Sequence, residues 1–135
     1  MSDSKRRRDR AAANGDGLVV PSAPKSIAVV RRYAVDACVA LGCVDAADSV
    51  ELLVSEVATN AILHADGSEI RVRILDQGDH LRVAVFDGSP ALPVPRCADA
   101  SAEGGRGLAL VEALAARWGV DARLGGKICW FEVGL

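Results

Sequence analysis

Three short stretches of this 135-residue chain hold side chains whose types and spacing could do chemistry. Glu56 and Asn60 stand four apart in SEVATNAILHA (Ser55–Ala65). On a helix that spacing sets them about 40° apart around the axis and roughly 6 Å apart along it. His64 continues the row. The Asn60 amide oxygen is a neutral hard ligand suited to Mg²⁺, and it leaves room for phosphate oxygens and waters. Glu56 could orient or deprotonate a water or a hydroxyl. The plainer alternative is a polar helix face touching water, with His64 near the carbonyl end of the helix dipole.

Asp87 closes the apolar run of VFDGSP (Val85–Pro90) and opens a loop. A carboxylate there can accept a hydrogen bond from an exocyclic amine, which fits adenine and not the carbonyl edge of guanine. Asp before Gly is also a common turn former. EGGRGL (Glu103–Leu108) lies directly before a helical pattern. Gly104, Gly105 and Gly107 let backbone approach an anion, and a helix start supplies N–H donors. Arg106 could add a phosphate contact. The stretch is neither a GxxxxGK[ST] loop nor a dinucleotide-binding turn. A flexible loop ahead of a helix is the competing reading.

The elements that must position these residues follow from periodicity. Leu18–Pro21 reads as a short extended stretch. Ser22 precedes a helix to about Leu41, with Pro24 in its first turn and Gly42 at its end. Ile27, Val30, Ala34, Cys38 and Leu41 form its apolar face. A second helix spans about Asp45–Ala65, buried along Val50, Leu53, Val57 and Ala61, widened by Val54 and Ala58. Asp66-Gly67 reads as the turn that ends it. Strands are expected at about Glu69–Leu75 and Leu81–Asp87, the second apolar enough to be central. Gly88–Gly105 reads as a long loop. A third helix is expected over about Arg106–Trp118. The strands Gly119–Leu124 and Lys127–Val133 are joined by a Gly125-Gly126 hairpin turn. The sum is an α+β chain: a two-layer α/β sandwich with a mainly antiparallel mixed sheet and helices on one face.

Composition narrows the classes. Half the residues are apolar and a quarter charged, as in a soluble globular domain. Residues 1–17 read as a disordered tail and 18–135 as one domain. Met1–Arg10 carries five cations against two carboxylates, a balance of +3; the net charge of −2 leaves −5 elsewhere. The net charge gives no case for general nucleic-acid binding, and a basic docking or nucleic-acid arm stands as the alternative reading of the tail. No stretch approaches a membrane span or the apolar core of a secretory signal. Cys38, Cys43, Cys97 and Cys129 lack zinc-ligand spacing, so a reduced cytoplasmic chain is expected, with Cys38 and Cys129 as small core residues.

The three stretches, in this order, resemble those of the bacterial anti-sigma-factor serine kinases, within the histidine-kinase-like (GHKL) ATPase superfamily. Glu56–Asn60 with Ala61 and His64-Ala65 resembles the family's N box, Asp87 its G1 aspartate, and Glu103–Leu108 its G2 box. The resemblance covers about Leu18–Leu135, and the ending WGV…GKICWFEV also resembles small single-domain members from actinomycetes. It implies a Bergerat-type ATP-binding fold. It also implies Mg²⁺ on Asn60, Glu56 as general base and Asp87 on the adenine amine. Further ATP contacts are implied from His64, Ser89, Gly104, Gly105, Arg106, Gly107 and Leu108. Ser89 stands where the wider superfamily often has glycine, and Pro90, Pro93 and Pro95 stiffen the start of the lid.

The activity so implied is transfer of the ATP γ-phosphate to a serine or threonine of an anti-sigma-factor antagonist, a STAS-domain protein. An alternative sigma factor would be the second, sequestered partner, and the chain would be a homodimer. Neither nucleic acid nor membrane is an expected partner. An ATP-dependent binding switch without phosphotransfer, a partner-independent ATPase and a dead pocket stand as alternatives.

Overall fold

The computed structural model describes residues 17–64, 69–88, 111, 114–123 and 125–135. The expected tail up to residue 16, the expected Asp66-Gly67 turn, and residues 89–110, which hold most of the expected loop and the start of the expected third helix, lie outside the described residues.

Strand β1 (Leu18–Pro21) leads to helix α1 (Ser26–Ala40). Ser22 does not open this helix as expected. The chain turns first, with Ala23 N–H donating to the Pro21 carbonyl and Ser26 N–H to that of Ala23. The buried Ser26 hydroxyl donates back to the Pro21 carbonyl over 2.6 Å and fixes the turn. The helix stops as its sequence requires. Gly42, at φ +76°, takes the left-handed backbone that other residues avoid. A short 3₁₀ turn (Val44–Ala46) then leads into α2 (Ala47–His64).

The two helices pack on each other and on one face of a five-stranded sheet. The sheet comprises β1, β2 (Glu69–Asp76), β3 (His80–Asp87), β4 (Arg117–Arg123) and β5 (Gly126–Gly134). Its order is β1-β2-β3-β5-β4, and every described pairing is antiparallel. β3 is central, in keeping with its apolar run. Alternation puts Ile70, Val72 and Ile74 in register with Asp87, Val85 and Val83, and then with Lys127, Cys129 and Phe131. These rows meet Val50, Leu53, Val54, Val57, Ala58 and Ala61 of α2 and Val30, Ala34 and Cys38 of α1 in one buried core.

The expected third helix does not run on to Trp118. Val111 and Leu114 are helical, and Ala115 N–H reaches the Val111 carbonyl. Ala116 N–H then donates to the Glu132 carbonyl, and Arg117 already belongs to β4. Pairing of Arg117 with Glu132 and of Trp118 with Phe131 draws the two residues into the sheet. Tertiary contact overrides a local preference that was ambiguous there.

Candidate functional site

α2 presents two faces at one level. Val57, Ala58 and Ala61 are buried, while Glu56, Thr59 and Asn60 between them are half-buried. The 18-residue helix keeps its register through this stretch, with the Thr59 hydroxyl donating to the Ser55 carbonyl at 2.7 Å. Among the described residues, no hydrogen bond or ion pair involves the Glu56 or Asn60 side chain. They are polar groups at the edge of a packed layer, accessible to a ligand. An amide oxygen so placed fits a hard divalent cation that keeps most of its ligands from phosphate and water. His64 closes the helix; its side chain lies outside the described residues, as do Ser89, Gly104, Gly105, Arg106, Gly107 and Leu108.

Asp87 ends β3 on the helix-facing side of the sheet, 1% exposed, in one cross-strand row with Ile70 and Lys127. The Lys127 ammonium, 4% exposed, donates to Asp87 Oδ1 at 3.0 Å. Gly126 makes this junction possible, since a Cβ there would sit 2.1 Å from the Asp87 carbonyl oxygen. Lys127 was not among the residues singled out in the sequence. The signal that could have found it is strand parity. Lys127 shares its period-two face with Cys129, Phe131 and Val133, a face that must be buried.

The thiols behave as core residues. Burial pushes Cys38 and Cys129 up to about 11, and the nearby Asp87 charge adds to the rise at Cys129. Both stay protonated and poorly nucleophilic at neutral pH. The second cluster of charge lies elsewhere. Glu132, buried between Arg117 and Arg82 in neighbouring strands, accepts from both, at 2.9 and 2.8 Å. The hydrogen bond from Arg117, with that from Arg82, holds its carboxyl below the usual range against the opposing effect of burial.

Residues 20–132 match the histidine kinase-like ATPase domain family. Over 74 residues the chain is 40% identical to the uncharacterized protein SCO4941 of Streptomyces coelicolor, covering 51% of this chain and 70% of that one. The fold resembles the histidine kinase domain of the Erythrobacter litoralis EL346 blue-light activated histidine kinase. There the TM-score is 0.52 at 25% identity, covering 98% of this chain and 75% of that one. It also resembles Acinetobacter baumannii histidine kinase AdeS, with a TM-score of 0.55 at 10% identity, 99% of this chain and 76% of the other.

Proposed function

The chain belongs to the histidine kinase-like ATPase domain family, and on that premise we propose that it is an ATP-dependent serine/threonine kinase of the anti-sigma-factor type. Its substrate is an anti-sigma-factor antagonist, and its second partner is a sigma factor that it sequesters in the cytoplasm. The observation that carries this reading is the half-buried Glu56–Asn60 row on α2, at the edge of the core that Asp87 enters from β3.

The roles follow from the donor sets. Asn60 would hold Mg²⁺, and the ion, when bound, would supply charge neutralisation on the phosphates. Asp87 accepts from the exocyclic amine of adenine. Glu56 accepts the proton of the acceptor hydroxyl as that oxygen bonds to the γ-phosphorus. The bond from phosphorus to the bridging oxygen breaks, and ADP leaves with the electron pair. Little covalent work falls to the protein; positioning and electrostatic stabilisation supply most of the catalysis. Val19, Val29 and Val39, exposed on β1 and α1, support a homodimer through those elements.

The test is calorimetric titration of the chain with ATP, with and without Mg²⁺, beside Asn60→Ala. Magnesium-dependent binding in the wild type and its loss in the variant are expected. Unchanged Mg–ATP affinity in Asn60→Ala would remove the main support for the site. Labelled ATP incubated with an antagonist then separates transfer from an ATP-dependent switch, which leaves the partner unlabelled.

A further inference from the structure

The sheet has two faces, and among the described residues only one is covered. Both helices and Val111 pack on the side of Ile70, Val83 and Phe131. Residues of the opposite parity form the other face. Register sets Arg71, Phe86, Ile128 and Asp121 in one row across it. Arg73, Ala84, Trp130 and Gly119 form the next row. The middle of this face is apolar and partly exposed, since Ala84, Phe86, Ile128 and Trp130 are only half-buried.

Two glycines shape that apolar strip. A Cβ at Gly119 would stand 2.7 Å from the Trp130 ring, and one at Gly126 would stand 3.0 Å from the Phe86 ring. Glycine at both places lets the rings come close to neighbouring strands. The Arg82 guanidinium lies over the Trp130 ring, 4.0 Å from its centroid, and donates to Glu132 at 2.8 Å. The strand residues of this face hold Arg71, Arg73, Arg82, Arg117 and Arg123 against Glu69, Asp121 and Glu132. That is a balance of +2 in a chain of net charge −2, so −4 falls elsewhere. Glu132 is engaged by Arg82 and Arg117, and Asp121 by Arg123. Among the described residues, no ion pair or side-chain hydrogen bond involves Arg71 or Arg73.

Aromatic residues and arginine are the types enriched where proteins meet. The charge of the face selects among occupants. The basic run Met1–Arg10 has the same sign and is a poor match. Two copies meeting through this face would bring the same arginines together. Single-stranded nucleic acid stacks its bases on open aromatic rings, and Arg82 already lies over that of Trp130. An acidic polypeptide meets none of these objections. Its carboxylates match the guanidinium forks of Arg71 and Arg73, and apolar side chains between them cover the strip. We propose that this face of the sheet docks an acidic, partly apolar segment of a partner protein, held by Arg71 and Arg73 over Phe86, Ile128 and Trp130. The surface lies on the side of the sheet away from Glu56 and Asn60 and does not rest on the nucleotide reading.

The test selects a phage-displayed library of random dodecapeptides on the full wild-type chain and measures the enriched peptides by fluorescence polarisation. Enrichment of Asp and Glu among apolar residues is expected. The leading peptide should lose affinity as salt rises, and its counterpart with lysine at every acidic position should not bind. It should bind Arg71→Glu/Arg73→Glu about tenfold or more weakly, as two exposed ion pairs become like-charge contacts. The thermal melt and Mg–ATP affinity of that variant should match wild type. On the wild-type chain, peptide-induced amide shifts should centre on Arg71, Phe86 and Trp130, a readout that needs no variant. Failure to enrich acidic peptides, equal affinity in the folded variant, or shifts centred on the helices overturns the proposal. So does binding of oligothymidylate that the variant abolishes, which would make the face a nucleic-acid surface. A wild-type dimer that the variant splits, seen by sedimentation, would make it a contact between copies and overturn the proposal too. Absence of Mg–ATP binding in both chains would remove the nucleotide reading and leave this surface standing.

Discussion

Glu56 and Asn60 owe their position to a single number, the four-residue spacing that stacks two side chains on one helix edge. Their neighbours Val57 and Ala61 are buried, so the helix cannot rotate to hide or expose the polar row without undoing the core. That makes the roles separable by substitution. Glu56→Ala should bind Mg–ATP nearly as well as wild type and transfer phosphate at least about a hundredfold more slowly, the lower range for a lost general base. The check is labelled-phosphate transfer to the proposed antagonist substrate beside calorimetric ATP binding. Wild-type turnover in the variant would make Glu56 a structural residue. Asp87 was legible as a strand-end carboxylate. Its engagement by Lys127 was not, because the two stand forty residues apart in the chain.

Among elements, β5 does the most to organise the molecule, lying between β3 and β4 and carrying charged partners on both of its faces. Lys127 points to the helix side, while Glu132, of opposite parity, joins Arg82 and Arg117 across three strands. Arg82 also lies over the Trp130 ring, 4.0 Å from its centroid. The Glu132 carboxyl titrates below its ordinary 4.5, with the Arg117 hydrogen bond the largest cause. A group whose folded value is depressed contributes stability above the unfolded value and loses it as pH falls through the folded one. Wild type should therefore be more stable than Glu132→Gln at pH 7. The gap should narrow as pH is lowered from 4.5 through the depressed value. Urea midpoints taken at steps from pH 7 to pH 3 provide the measurement; a gap constant over that range would show that the network contributes no titrating stability.

At the scale of the molecule, two helices and one sheet face close a single core, and Phe131 is its largest fully buried side chain. It is in register with Val83 on one side and Trp118 on the other, which ties the central strand to the edge. Phe131→Ala should cost about 3–5 kcal/mol, the range for truncating a buried phenylalanine. It should leave Mg–ATP affinity near wild type wherever the chain remains folded. Equilibrium urea unfolding checks the first statement and calorimetry the second; a loss under about 1 kcal/mol would mean that the core collapses to fill the space. Among the described residues no helix is long and apolar enough to cross a membrane.

The sequence by itself determined what local physics controls. Period 3.6 along Val50–Ala61 and period 2 along Ile70–Ile74 named the buried faces. Gly42 marked a helix end, and Gly125-Gly126 a hairpin. The spacing of Glu56 and Asn60 was fixed as soon as their helix was. Only the tertiary structure decided what depends on distant partners. The β3–β5 junction sets the strand order, and no local pattern encodes which strands meet or in what register. Strand β5, pairing with β4 along its other edge, converts Arg117 and Trp118 from an apparent helix end into the start of β4. It also presses Gly126 against Asp87 and so delivers Lys127 to its carboxylate. The physical reason is one and the same: burial and pairing energies act through space, and only closure of the sheet tells a residue at position 127 that its neighbour is residue 87.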